Sequence, residues 1–224
     1  MLSKGRSLPR GIDLSRFPME VAMKIGYVLL LSMIIGWLLP ATASAQGGHQ
    51  RDSWYIGFGL GGGLSAGWEV DGDTISFDEW LDGLEKDPKI SLNFKVGGTL
   101  SQKTLLGFDV TAVSQTASAG GVDVHAQINN YFLMMTHFPH DEGFFIRLGG
   151  GVSNVVATIN SPSGDFSSKV NGVGALGGIG YALWLGKSFN LTLNLDYSRQ
   201  WYSSNPGEPD RSQFTILYLG FDWY

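Results

Sequence analysis

The sequence predicts an all-β fold, an eight-stranded antiparallel up-and-down transmembrane β-barrel, and three observations predict it. Apolar residues recur at every second position in one segment after another. The connections between those segments alternate between long and short. Downstream of residue 45 no apolar run approaches the roughly 20 residues a helix needs to cross a bilayer, so any crossing has to be made by strands.

The first 45 residues read as an export signal. Lys24 precedes an apolar run from Ile25 to Leu39, and after Pro40 the stretch Ala41-Thr42-Ala43-Ser44-Ala45 offers the small-x-small pattern that signal peptidase cuts. The run is 15 residues long, too short for a membrane anchor. The expected organisation is a signal peptide over 1–45, a short N-terminal segment over 46–53 and the barrel over 54–224. The mature chain is expected to begin at Gln46. Met23-Lys24 would also make an ordinary signal start, so translation from Met23 is an open alternative.

Composition narrows the class. The 224 residues are 43% hydrophobic with 32 glycines and no cysteine, too apolar for a disordered chain. Removing residues 1–45 takes away five of 15 basic and two of 20 acidic residues, leaving 10 against 18 and a formal charge of −8. A nucleic-acid binder is usually basic, so that class is excluded.

The strands follow in order. Trp54, Ile56, Phe58 and Leu60 alternate with Tyr55, Gly57, Gly59 and Gly61. Ile90, Leu92, Phe94 and Val96 alternate with Ser91, Asn93, Lys95 and Gly97, and Leu106, Phe108, Val110 and Ala112 with Gly107, Asp109, Thr111 and Val113. Val122–Phe138 supplies the fourth strand in an unclean register. There Val124, Ala126 and Ile128 oppose His125, Gln127 and Asn129, and a bulge near Asn129-Asn130 is one way to keep Asn130 from lipid. Phe144, Ile146 and Leu148 oppose Phe145, Arg147 and Gly149, and Val173, Ala175, Ile179, Tyr181 and Leu183 oppose Gly174, Gly178 and Gly180. Leu191–Tyr197 and Leu217–Trp223 complete the set. Period two with one apolar face is the mark of a strand.

Alternation alone also suits a soluble sandwich. The connections decide. Ser65–Lys89, Ser114–Gly121, Ser153–Gly172 and Gln200–Ser212 are long, whereas Ser101–Thr104, Pro139–Glu142 and Gly186–Ser188 are short, the asymmetry of outer-membrane barrels. One face is aliphatic, with Trp54, Phe138, Phe144, Tyr197 and Trp223 expected in an interfacial girdle. The other carries Lys95, Asp109, His125, Gln127, Arg147, Asn194, Asp196 and Asp222, expected to point into a narrow lumen. Lys95, Asp109, Arg147, Asp196 and Asp222 form the expected structural network there.

The signal peptide, the opening Trp54-Tyr55-Ile56-Gly57, the loop asymmetry and the aromatic C-terminus resemble the small eight-stranded outer-membrane barrels, the transmembrane domain of OmpA and the OmpX/Ail type. The resemblance implies residence in the Gram-negative outer membrane, among its lipids and lipopolysaccharide. The terminal strand Phe214–Tyr224 is similar to the signal read by the barrel-assembly machinery, although Tyr224 stands one place beyond the register of Phe221 and Trp223. Architecture is implied strongly and function weakly, because a fold does not fix a function.

Other chemical signals have plainer readings. Gly57-x-Gly59-x-x-Gly62 and Gly172-x-Gly174-x-x-Gly177 lack the following helix that a dinucleotide site needs, so no cofactor is expected. The acidic stretch Asp71–Glu79 is similar to half of a calcium loop without its central glycine, and is read as a solvated acidic loop. His137-x-x-His140 with Asp141 and Glu142 reads as a polar turn rather than a metal site, and His125 as a hydrogen-bonded luminal histidine. The expected function is non-enzymatic, in envelope integrity, surface contact or adhesion, with no catalytic residue. The alternatives are an OmpW-like passage for small molecules and a lipid-modifying enzyme. What the surface loops bind is not encoded in any motif.

Overall fold

The computed structural model describes Arg51 and residues 54–140, 142–203, 205 and 207–224. The export signal, the expected start at Gln46, the alternative start at Met23 and all of 46–53 except Arg51 lie outside the described residues.

Among the described residues ten strands and one short helix follow in order: β1 (Trp54–Val70), β2 (Asp73–Ser76), α1 (Phe77–Trp80), β3 (Glu85–Lys86), β4 (Ile90–Ser101), β5 (Thr104–Ala119), β6 (Val122–His137), β7 (Gly143–Ser161), β8 (Gly164–Trp184), β9 (Phe189–Tyr202) and β10 (Arg211–Trp223). Eight of them, β1 and β4 to β10, pair antiparallel with their sequence neighbours, and β10 pairs with β1 to close the cylinder. Closure removes the open edges that would otherwise leave backbone N–H and C=O groups unmatched in lipid.

Two of the segments read as long loops, Ser114–Gly121 and Ser153–Gly172, are mostly strand. β7 and β8 pair from Gly143↔Ala182 up to Ser161↔Gly164, and β5 and β6 up to Ala119↔Val122, so the turns are only Pro162-Ser163 and Gly120-Gly121. The eight barrel strands run 12–21 residues, longer than the roughly ten a tilted strand needs to cross a bilayer.

The reason is an inversion of polarity along the long strands, seen most fully in β6. In β6 the pairing on both sides is unbroken, with no bulge at Asn129-Asn130. Across the lipid belt, Tyr131, Leu133 and Met135 point outward and are exposed, while Asn130 points inward and is buried. Further along the same strand Val124, Ala126 and Ile128 point inward and are buried, and His125, Gln127 and Asn129 face out. The phase of alternation never changes; the solvent does. Against lipid the outer face has to be apolar, and beyond the membrane the barrel has a watery outside and an apolar core. The expectation that His125 and Gln127 are luminal is therefore wrong. A register shift does occur elsewhere, between Gly63 and Ser65 in β1, and it turns Ala66 and Trp68 inward.

The outer belt carries Phe58, Leu60, Leu92, Phe108, Leu133, Leu148, Ile179 and Leu195, all exposed. Trp54, Phe144, Tyr181 and Trp223 ring it near the short turns, and Tyr131, Tyr197 and Trp201 ring it at the far side. Phe138, expected in the girdle, is instead buried inside the turn end.

Candidate functional site

The interior is filled in successive layers. At the turn end Arg51 is buried, its guanidinium 3.6 Å from the centroid of the Phe138 ring and within 5.1 Å and 5.6 Å of Trp184 and Tyr224. Its Nη1 donates to the carbonyl of Gln102 at 2.8 Å, and its backbone N–H donates to the Gln102 side chain at 3.0 Å. Tyr55, Leu105, Phe138, Phe145 and Ala182 pack around it. A guanidinium stacked on aromatic faces is favourable and stays charged. The residue just before the first strand thus stoppers one mouth.

The middle layer brings the five expected polar residues together in two groups. Arg147 on β7 pairs with Asp109 on β5 and lies 3.6 Å from Asp196 on β9. It also donates to the hydroxyl of Tyr218 on β10, which in turn donates to Asp196 at 3.0 Å. Lys95 on β4 stands 3.7 Å from Asp222 on β10, with its ammonium 5.4 Å from the Tyr218 ring centroid. Three carboxylates face two cations, and the Tyr218 hydroxyl supplies Asp196 with a further donor. Arg147, Asp109, Asp196 and Tyr218 are at most 3% exposed. Glycines make the room. A Cβ at Gly178 would fall on the Asp196 carboxylate, and one at Gly57 on that of Asp222.

Above this lies a neutral layer. Asn130 donates to Ser198 at 2.9 Å and accepts from Ser153 at 2.8 Å and from Gln200 at 3.3 Å, and Ser212 donates to Gln200 at 2.6 Å. The apolar core of the extension follows, with Trp68, Val113, Ile128, Val155, Phe214 and Ile216 among its members. The connection between β1 and β4 then folds over the far mouth as a lid. Phe77 and Leu81 are fully buried, and Trp68 packs against Phe77 and Trp80 at centroid distances of 5.0 and 4.7 Å. β2 pairs with β1, and β3 with β5, so the lid is strapped on two sides. Asp78 latches it, accepting from Lys89 at 2.5 Å and from Gln115 at 3.3 Å. The Lys89 hydrogen bond, helped by Gln115, holds the Asp78 carboxyl below its usual range. Asp78 is thereby committed to the lid rather than to a calcium loop.

The remaining candidates are placed as follows. The two glycine motifs lie on β1 and β8. His137 bonds Thr104 at 3.1 Å, and Asp141 lies outside the described residues. His125 uses both ring nitrogens in a ladder on the outer face, with Thr116 at 3.2 Å and Gln127 at 3.1 Å. Among the described residues no three His, Asp or Glu side chains gather as a metal-holding group. Sequence reasoning missed Tyr218, Arg51 and the neutral layer of Ser153, Ser198, Gln200 and Ser212. Tyr218 could have been found from the inward register it shares with Asp222. Arg51 had no local signal, because its partners come from three distant turns and the C-terminus.

A closed barrel with an apolar belt and a filled polar interior is an integral outer-membrane β-barrel protein. Its fold is that of solved small outer-membrane barrels. Ail, the attachment invasion locus protein of Yersinia pestis, in complex with the heparin analogue sucrose octasulfate, superposes with a TM-score of 0.54 at 12% identity, over 76% of this chain and 99% of Ail. A second Ail structure gives 0.50 at 11% identity, over 77% and 99%. Neisserial surface protein A gives 0.49 at 14% identity, over 76% and 96%. No protein-family model and no curated protein matches the sequence. In the outer membrane the short turns face the periplasm and the lid and hairpins face outward.

Proposed function

We propose that this protein is a non-enzymatic barrel that serves surface contact and envelope integrity, holding a folded platform above the membrane instead of conducting solutes through it. The observation that carries the reading is the inversion of polarity. β5 to β8 continue past the lipid belt as an ordered sheet with its own apolar core, far more structure than a pore needs as a rim. The lumen below it is occupied at every layer, as expected of an eight-stranded barrel. Both His125 ring nitrogens are engaged outside the barrel, which supports a structural rather than a catalytic histidine. Outer-membrane lipids and lipopolysaccharide are its surroundings, and the barrel-assembly machinery is the partner its terminal strand fits.

Two measurements test this. In planar bilayers the purified barrel should show no stepwise conductance, and regular steps would favour the small-molecule passage. Cells displaying the protein should adhere to surfaces or to other cells. A variant in which residues 157–168 are replaced by an Asn-Gly turn should adhere no better than cells lacking the protein, while still inserting as a barrel. Full adhesion by that variant sinks the platform reading.

A further inference from the structure

The tallest hairpin leaves one backbone edge uncovered. β8 pairs with β7 from Gly164 to Ala182, but with β9 only from Gly172↔Tyr202 downward. Ser203 adds one bond to the carbonyl of Asn171. Above that point no further bond to this edge is made among the described residues. Successive residues of an antiparallel strand direct their backbone groups to opposite sides. Asn171 bonds toward β9, so Asp165, Ser167 and Lys169 direct N–H and C=O to the free side. These residues are exposed. Natural edges of this kind are blunted by proline, bulges or charged side chains, and the charges on this one, Asp165 and Lys169, are of opposite sign. Here the β7–β8 register has no bulge, and Gly164–Val170 contains no proline.

The edge is complementary to itself. We propose that Gly164–Val170 of β8 pairs antiparallel with the same segment of a second copy, centred on Ser167, and that this joins two facing membranes. In that register Ser167 faces Ser167 and Asp165 faces Lys169 twice, with every free N–H and C=O meeting its counterpart. Opposite charges directly across strands stabilise an antiparallel pair. Phe166, exposed by 62%, lies diagonal to the Phe166 of the other copy on the same face. The membrane geometry follows from strand direction. Barrels in one bilayer send β8 the same way, tilted about 35–45° from the normal, so two such edges can never run antiparallel. A partner from an opposing membrane runs the other way. Ser167 pairs with Thr158, six residues beyond Val152 at the top of the belt. At ~3.3 Å rise per residue along a tilted strand, the membranes would stand on the order of 30 Å apart, which confines the contact to closely apposed surfaces with short glycolipids.

This inference rests on the surface-contact reading and fails separately from it. Vesicles carrying the full barrel should tether to one another. Asp165→Lys faces Lys with Lys, and Lys169→Asp faces Asp with Asp. Each population alone should tether about tenfold less, and the two mixed should recover, because each then presents the other's counter-charges. The chain has no cysteine, so Ser167→Cys should give a single disulfide-linked dimer between vesicles. Wild-type vesicles that stay dispersed, charge variants that tether as well as wild type, or mixed variants that do not recover overturn the pairing. Cell adhesion lost on hairpin replacement would still stand in those cases, since that assay does not require a second copy.

Discussion

Arg147 is the residue on which the lumen turns. Four strands meet at its guanidinium through Asp109, Asp196 and Tyr218. A guanidinium keeps its proton and therefore demands acceptors wherever it is buried. Arg147→Met would leave Asp109 and Asp196 facing each other without a cation. Removing one partner of a buried pair costs about 3–5 kcal/mol, most of it from the charge left behind. Unfolding in detergent by urea should show a clearly lower midpoint for Arg147→Met than for the lipid-facing control Val110→Ala. Equal loss in the two variants would mean the lumen is wet enough to solvate the carboxylates. The same logic explains Gly178, whose missing Cβ is the space Asp196 occupies.

Among elements, the lid and the extended hairpins show how local sequence is read by its surroundings. The acidic connection between β1 and β4 has little to hold it alone, yet Phe77 and Leu81 anchor it in the barrel mouth and Ser76 caps α1 by accepting from Glu79 at 3.1 Å. Asp78 joins it to the rim through Lys89 and Gln115. Because the folded carboxyl titrates below its usual range, the latch contributes fully above the unfolded value and is lost as the pH falls through the lowered one. A carboxyl-detected NMR titration should find Asp78 protonating below the range of a free aspartate on acidification. Lys89→Met should move it back up toward that range. An Asp78 that titrates as a free aspartate in the wild type would show that the latch does not form.

The whole molecule is stabilised by closure. Each barrel strand within the bilayer has two neighbours, so no edge is free to unzip in the membrane. In detergent the barrel should therefore stay folded until heated, and unboiled and boiled samples should migrate differently on a gel. Identical migration of correctly inserted protein would contradict a closed barrel. The same closure sets where contact with other molecules is made: lipid covers the belt, and above it the upper edge of β8 offers backbone.

The sequence by itself determined the all-β class, the number of crossing strands, the lipid face of every one but the fourth and the inward placement of Lys95, Asp109, Arg147, Asp196 and Asp222, because period-two alternation against lipid writes the pleat directly into residue order. It could not show where a strand ends. Segments such as Ser153–Gly172 lose the lipid pattern while remaining strand, since water replaces lipid outside and the apolar residues move to the other face. Only the tertiary structure decided which luminal charges meet, because that depends on register and height across strands far apart in sequence. It alone placed Arg51 among Phe138, Trp184 and Tyr224, and Phe77 under the lid. These contacts are made by residues brought together only when β10 closes on β1, and nothing within reach of any one of them along the chain specifies the others.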